Sequence, residues 1–118
     1  MTRELETINL TIGDRFFESF YITDDDDFPF DLSIYEDIRM DIRYGISPNS
    51  KLLHSLGFLS GITYNGDDNN ILIMEIPSEI TKDFESGLFY IDFRFIENGQ
   101  VYTLLKGKIQ IRKNITNI

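Results

Sequence analysis

Four consecutive aspartates at positions 24–27 are the most conspicuous group of residues that could do chemistry in this sequence. Carboxylate oxygens are the ligands that Ca²⁺ prefers, so Asp24 and Asp26 are candidate calcium ligands. Two features argue against such a site: neighbouring side chains in an extended run point to opposite sides, and the glycine and distal glutamate of a calcium-binding loop are absent. We therefore expect a solvated turn and no metal site.

Glu75, Asp92 and His54 are the other residues whose types could support catalysis. Each carboxylate lies within an apolar segment and has no partner that the sequence identifies, which favours a structural role over acid–base chemistry. A single histidine cannot form a multi-histidine metal site, no Gly-x-Ser-x-Gly segment supplies a serine nucleophile, and the chain has no cysteine. We expect no catalytic residue, no cofactor-binding residue and no enzymatic activity.

Aromatic residues suggest a different kind of site, because their rings can stack on sugars or pack in a protein interface. The candidates for a carbohydrate-binding face are Phe28, Phe30, Tyr64 and Tyr102. Most of the 10 Phe and 6 Tyr must instead fill the core of a chain this small. Glycan or receptor binding is therefore kept as an alternative function.

Length and charge narrow the remaining classes of function. A chain of 118 residues fits one domain, here residues 1–118. Its 20 acidic and 11 basic side chains give a net charge of −9, which argues against nucleic-acid binding and against an anionic membrane surface. No apolar run is long enough to span a bilayer, and the first ten residues do not form a signal peptide. We expect a soluble protein with no export signal.

Period-two alternation of apolar and polar residues dominates the chain and predicts β-strands. Residues 38–44, for example, alternate apolar with charged side chains, as a strand with one solvated face does. Clear strands are predicted over residues 8–12, 38–44 and 89–95, and further strands over 16–23, 52–60, 71–76 and 101–111, the last with a possible break at Gly107. A helical turn is predicted over residues 78–84, with Ser78 as its N-cap. Strands this short and frequent are typical of a sandwich or small barrel.

Two longer segments resemble a known family of domains. Residues 12–17 (Ile-Gly-Asp-Arg-Phe-Phe) and 24–33 resemble the opening of the immunoglobulin-like domains of phage tail and baseplate proteins, such as baseplate upper proteins. Residues 80–81, 87–93 and 99–109 are similar to the end of the same domains, whereas residues 47–70 do not align. The turn and close-contact positions that this pattern marks are Gly13, Asp14, Pro29, Asp31, Gly87, Asn98, Gly99 and Gly107.

The resemblance implies an all-β, immunoglobulin-like antiparallel sandwich of about seven strands with at most one short helical turn. It also implies a structural component of a bacteriophage virion, whose partners are other virion proteins and further copies of itself. We expect an accessory or decoration protein of the capsid, with a tail, baseplate or fibre-adaptor protein as the alternative. Residues 1–7 and 113–118 are expected to extend beyond the sandwich and contact a neighbouring chain.

Overall fold

The computed structural model describes residues 3–24, 26, 28–58 and 60–113. Its elements in chain order are β1 (Arg3–Glu4), β2 (Ile8–Thr11), β3 (Phe16–Tyr21), a 3-10 turn (Leu32–Ile34), β4 (Asp37–Arg43), β5 (Leu52–Phe58), β6 (Gly61–Asn65), β7 (Ile71–Ile76), α1 (Ser78–Thr81), β8 (Gly87–Glu97) and β9 (Gln100–Arg112). No helix in this described part of the chain is long and apolar enough to cross a membrane.

The strands form two sheets that share β5. In the larger sheet, β1 and β2 lie beside β9, followed by β8, β4 and β5; in the smaller sheet, β3 is followed by β7 and β6. Leu56 of β5 pairs with β4 in the larger sheet, whereas Gly57 and Phe58 pair with β6 in the smaller one. One strand that changes sheets turns a corner of this kind of sandwich.

The order of the strands is that of an immunoglobulin-like sandwich. The smaller sheet, β3-β7-β6, matches the B-E-D order, and β9-β8-β4-β5 matches the G-F-C sheet extended by C′. The prediction of an all-β sandwich of this type is therefore confirmed.

Alternation along each strand builds the core between the sheets. Every second residue of β4 and β8 points inwards, while the residues between them face solvent. Burying one such side chain stabilises the fold by about 1.5–3 kcal/mol. The largest side chains that are almost completely buried are Phe93, Phe95, Leu32, Ile38, Met40, Ile42, Ile62, Leu72, Met74, Ile76, Ile109 and Ile111.

The structure corrects the predicted number and direction of strands. The described residues form nine strands instead of about seven, because β1 and β6 were not predicted, and β9 runs without a break through Gly107. Three strand pairs are parallel: β1 with β9, β2 with β9, and β5 with β6. Alternation identifies a strand but not the direction of its neighbour, and β1 is too short to show a pattern at all.

Residues 3–4 also differ from the expectation for the ends of the chain. Arg3 and Glu4 pair with Leu105 and Lys106, so β1 is part of the sandwich rather than an extension beyond it. Residues 1–2 and 114–118 lie outside the described residues, and the predicted contact of the ends with a neighbouring chain stays a prediction.

The hairpin and helical turns follow sequence signals, with one correction. Asn98 and Gly99 have φ values of 51° and 78°, as a type I′ hairpin requires, and they join β8 to β9. The helical turn α1 begins at Ser78, but its N-cap is Pro77 and no side chain caps it, so Ser78 is not the cap. A second turn, the 3-10 turn, is capped by Asp31 and was not predicted.

One buried hydroxyl ties the two resembling segments together. The Thr81 side chain is fully buried, and its Oγ1 donates to the carbonyl oxygen of Asp14 at 2.7 Å. The turn at Gly13, where φ is 90°, is thereby fixed to the connection between β7 and β8. Gly107 has a packing role of a different kind, since a Cβ there would lie 3.3 Å from the Cβ of Leu5. Gly87, at φ 145°, begins β8.

Candidate binding site at the loop end of the sandwich

The connection between β3 and β4 meets the β8–β9 hairpin at one end of the sandwich. Residues 22–36 form this connection, and Asn98-Gly99 is the tip of the hairpin. The corresponding loops of immunoglobulin variable domains carry their binding residues. That analogy directs attention to this end of the molecule, but the chemistry of the site must come from its own side chains.

Backbone hydrogen bonds surround Asp24, the first residue of the acidic run. Thr23 and Pro29 form an antiparallel bridge, and the Asp24 N–H donates to the carbonyl oxygen of Phe28 at 2.9 Å. In return, Asp24 Oδ1 accepts from the N–H groups of Asp26 and Phe28, at 2.9 and 3.0 Å. Such bonds are typical of an aspartate that stabilises a turn.

Asp31 fixes the next step of the same connection. Its Oδ1 accepts from the Ser33 N–H at 2.9 Å and from the Ser33 hydroxyl at 2.6 Å. The side-chain hydrogen bond from Ser33, followed by the backbone one, lowers the pKa of Asp31 below its usual value. The Pro29-Phe30-Asp31 step therefore leads the chain into the 3-10 turn, which ends at Ile34 directly before Tyr35.

Between the connection and the hairpin lies a pocket of about 330 Å³. The buried Tyr35 ring stacks parallel to Phe30, with centroids 6.0 Å apart, and meets Phe95 edge-on at 5.1 Å. Tyr102, which is 45% exposed, lies on the β9 side. The residues that line the pocket are Ile22, Thr23, Asp24, Phe30, Tyr35, Phe95, Glu97, Tyr102, Leu104 and Leu105.

The pocket is lined by acidic as well as aromatic side chains. Asp24 and Glu97 line the pocket, and none of the described lining residues is basic. Burial, together with the charges of Glu97 and Tyr102, raises the pKa of Tyr35 above its usual value. The Tyr35 phenol therefore stays protonated at neutral pH and can donate a hydrogen bond, while the two carboxylates can only accept. The pocket therefore combines aromatic walls with hydrogen-bonding groups at its edge.

The structure brings some of the candidate residues together and separates others. Phe30 and Tyr102 share the pocket with Asp24, while Phe28 is 66% exposed on the adjacent loop. Tyr64 lies elsewhere, on β6, where its ring packs against Phe58 at 5.9 Å. The four aromatics named from the sequence therefore do not form one carbohydrate-binding face.

The two proposed calcium ligands are not arranged as a metal site. Asp24 Oδ1 is engaged by backbone N–H groups, and the Asp26 side chain is exposed. Among the described residues, no group of three or more histidine, cysteine, aspartate or glutamate side chains is placed to hold a metal ion. Asp25 and Asp27 lie outside the described residues.

Sequence reasoning missed two central members of the pocket, Tyr35 and Glu97. Glu97 immediately precedes the Asn98-Gly99 turn, so the hairpin prediction already placed it at this end of the sandwich. Tyr35 follows a 3-10 turn that was not predicted from the sequence. Only the fold brings the connection against the hairpin.

A second cluster of charged residues lies on the outer face of the larger sheet. Asp41 is only 3% exposed although its strand position faces outwards. It accepts from Ser55 Oγ at 2.5 Å, from Arg43 Nη2 at 2.9 Å and from Arg94 Nη2. A buried carboxylate needs such partners because desolvation of an unpaired charge is costly.

Asp92 is the cross-strand neighbour of Asp41 and is less well satisfied. Burial raises the pKa of Asp92, an effect that the charge of Arg94 partly offsets and that of Asp41 reinforces. Asp92 Oδ1 and Arg94 Nε are buried and have no hydrogen-bond partner among the described residues. A cleft of about 640 Å³ opens on this face, with Lys106 and Lys108 on its wall.

The three candidate catalytic residues occupy separate environments. Asp92 lies on the larger sheet, whereas Glu75 lies on the smaller sheet and pairs with Arg15 at 2.5 Å. The His54 ring packs 5.7 Å from that of Phe84, and burial lowers the pKa of His54. No acid–base pair forms between them.

The outer face of the smaller sheet is apolar and partly exposed. Phe17 and Tyr21 on the edge strand β3 are 49% and 76% exposed. Phe17 pairs with Glu75 of β7, and Tyr21 pairs with Ile71. The side chains of Ile71 and Ile73 on β7 also point outwards and are half-buried. We call the side chains of Phe17, Tyr21, Ile71 and Ile73 the apolar face.

Comparison with known proteins assigns this chain to no family. No protein-family model and no curated protein sequence matches the chain. A solved structure that it resembles is the crystal structure of CopC from Methylosinus trichosporium OB3b, at 15% identity and a TM-score of 0.39, covering 69% of this chain and 67% of that one. A likeness at this level bears on neither function nor ligand.

Proposed function

We propose that this chain is a non-enzymatic structural component of a bacteriophage particle that acts through contacts with other proteins. The observation that carries the proposal is the apolar face together with the edge of β3, which pairs with no second strand in the described part of the chain. An edge strand offers unpaired backbone groups to another chain, and contiguous exposed apolar side chains mark a surface that a partner covers. We propose a bacteriophage particle because residues 12–33 and 80–109 resemble domains of phage proteins.

The surface is suited to a repeated, shared contact. Phe17 and Tyr21 can pack against a neighbour while β3 pairs with one of its strands, a mode in which main-chain bonds give affinity and alternate side chains give specificity. Arg15 lies 4.9 Å from the centre of the Phe17 ring and pairs with Glu75, so charged groups border the face. An accessory or decoration protein of the capsid would use such a contact at every copy; a tail, baseplate or fibre adaptor would use it at few.

The content of purified particles tests this proposal. Particles of the phage that encodes the chain should contain it in fixed proportion to the major capsid protein, measured by quantitative mass spectrometry. A copy number close to that of the capsid protein would place it on the shell, and a much smaller one at the tail. If the chain is abundant in the lysate but absent from purified particles, the proposal is wrong.

Two variants connect the particle to the surface. Phe17→Ser combined with Tyr21→Ser should deplete the chain from particles several-fold. Ile46→Ser is the matched control, because Ile46 is an 85% exposed apolar residue that lines the cleft of the larger sheet instead. Equal incorporation of the double variant and the control would show that the apolar face is not the contact.

Glycan or receptor binding is the second candidate, and it is favoured by the placement of Phe30 and Tyr102 in one pocket. Rings in such positions can stack on a sugar. Saturable binding of the purified chain on a glycan array, lost on Tyr102→Ala, would support this function. Binding that Tyr102→Ala leaves unchanged would exclude the pocket as its site.

A further inference from the structure

We propose that two copies of this chain pair edge to edge through β3, in antiparallel orientation, about a two-fold axis at Ser19. The inference rests on the proposed function, from which it takes the apolar face as a contact surface, and it deepens that function by naming the neighbour. The smaller sheets of the two copies then form one continuous sheet, which reads β6-β7-β3 in one copy and β3-β7-β6 in the other.

One hydrogen bond identifies which backbone groups of β3 point away from β7. The Ile22 N–H donates to the carbonyl oxygen of Asn70 at 2.8 Å, which continues the register of β3 with β7. In an antiparallel pair, residues that exchange such bonds alternate with residues that do not. Phe17, Ser19 and Tyr21 therefore direct their N–H and C=O groups to the opposite edge. No second strand pairs with that edge in the described part of the chain.

The described residues that follow β3 lie on the β7 side and not along this edge. The Phe30 N–H donates to the carbonyl oxygen of Ile22 at 3.0 Å, and the Leu32 N–H donates to that of Asn69 at 2.9 Å. Ile22 directs its backbone groups to the β7 side, so the chain at Phe30 continues that side beyond the end of β7. A strand of a second copy can therefore approach β3 from the other side.

Symmetry and charge select one register for the paired strands. An axis at Ser19 places Ser19 opposite itself and Phe17 of each copy opposite Tyr21 of the other. All three edge residues then lie in pairs that can exchange two main-chain bonds each. An axis at Glu18 would instead place Glu18 opposite itself, and like charges directly opposite each other are destabilising.

The surface beside this edge carries little charge, although the net charge of the chain is −9. Among the outward side chains of the described strands of the smaller sheet, only Glu75 is charged, and it pairs with Arg15. Two acidic chains can therefore meet here with little repulsion between the contacting residues. Because the two-fold axis stands perpendicular to the sheet, the two apolar faces lie on the same side and form one larger surface for a particle to cover.

Cysteine cross-linking of the purified chain tests the pairing, because the sequence contains no cysteine. Ser19→Cys places two thiols on strands whose Cα atoms lie about 5.5 Å apart, a separation that a disulfide spans. In a glutathione redox buffer it should form a covalent dimer at least about tenfold faster than Ser86→Cys, because paired thiols react at a high effective concentration. Ser86 is the matched control, an exposed serine outside the strands.

Analytical ultracentrifugation of two further variants tests the main-chain bonds. Proline at position 19 removes an N–H that points away from β7, and edge strands tolerate proline in this orientation. Ser19→Pro should weaken dimerisation about tenfold or more, the loss expected for the two bonds at the axis, whereas Ser19→Ala should leave it unchanged. Dimerisation of the wild type should strengthen as ionic strength rises, because salt screens the repulsion between two chains of charge −9.

The inference is wrong if the wild type stays monomeric up to about 1 mM. Equal cross-linking of the two cysteine variants would overturn it as well, as would equal dimerisation of Ser19→Ala and a Ser19→Pro that circular dichroism shows to be folded. The cysteine variants decide the matter even if the proline is not tolerated. A chain that dimerises but is absent from particles would overturn the proposed function alone, whereas a chain that enters particles and never dimerises would overturn the self-pairing alone.

Discussion

The outer faces of the two sheets differ in the kind of side chain that they carry. On the larger sheet, acidic and basic side chains cover the strands, and Asp41 is buried beneath the guanidinium groups of Arg43 and Arg94. On the smaller sheet, Phe17, Tyr21 and the outward isoleucines of β7 remain partly exposed. The Asp41 carboxylate has its partners within the chain, whereas the apolar face of the smaller sheet is exposed to solvent.

Under the proposed function, the difference separates residues that stabilise the folded chain from residues that contact a partner. Asp41 gains little from a neighbour, because a new cation would have to displace the two arginines that it already binds. An apolar face is stabilised by any neighbour that removes it from water. Substitutions on the larger sheet should therefore change stability, and substitutions on the smaller sheet should change association.

Asp41→Ala should have the largest effect on stability. It leaves two arginines and the Ser55 hydroxyl without their shared acceptor, and breaking a buried ion pair in this way costs about 3 kcal/mol. Urea unfolding should show a lower midpoint with an unchanged slope. A loss below that of Glu75→Ala, its counterpart on the smaller sheet, would contradict the assignment of Asp41 as the centre of the network.

Asp92→Asn should stabilise the protein slightly and change its pH dependence. Because burial raises the pKa of Asp92, the folded state binds this proton more tightly than the unfolded chain does. The free energy of unfolding therefore falls as pH rises from the usual Asp value through the raised one, and the loss persists at neutral pH. After solvent screening the gain at pH 7 should be under about 1 kcal/mol.

Thermal unfolding between pH 3 and 7, roughly the range in which carboxylates titrate, would measure this effect. The wild type should lose stability relative to Asp92→Asn as pH rises. A constant difference between the two proteins over this range would show that Asp92 does not titrate abnormally.

Glu75→Ala should cost at most about 1 kcal/mol, because its ion pair with Arg15 is exposed and solvent screens it. The loss should shrink further in high salt. Urea titrations at low and high ionic strength would measure it. A salt-independent loss as large as that of Asp41→Ala would remove the contrast between the two faces.

Phe17→Ser combined with Tyr21→Ser should change the free energy of unfolding least, by no more than about 0.5 kcal/mol per site, because both side chains are exposed. The double variant should nevertheless remain monomeric at concentrations at which the wild type self-associates, as analytical ultracentrifugation would detect. A large loss of stability would mean that these rings support the monomer fold.

Sequence patterns predicted the fold better than the site. Period-two alternation located β7 at its observed bounds and the Asn98-Gly99 hairpin that joins β8 to β9, since both signals are local. It missed β6, which lies in the part of the chain that did not align with the resembling domains. The parallel pairing of β2 with β9 joins segments about a hundred residues apart, which no local pattern encodes.

The candidate site depended on packing that the sequence does not display. Phe30 and Tyr102 were named as aromatics, but their neighbours Tyr35 and Glu97 come from other elements that meet only in the folded chain. The alternation over residues 38–44 predicted that the Asp41 side chain faces solvent. Its burial follows from two arginines on two strands that close over it.

The parallel pairing of the first and last strands has a mechanical consequence. β2 runs alongside β9 from Ile8 opposite Ile109 to Thr11 opposite Arg112. Tension that pulls the start of β2 and the end of β9 apart therefore acts along both strands in opposite directions. It loads the hydrogen bonds between them together, in shear, whereas antiparallel strands pulled from a common end open one bond at a time. A domain built in this way resists being pulled open along these two strands.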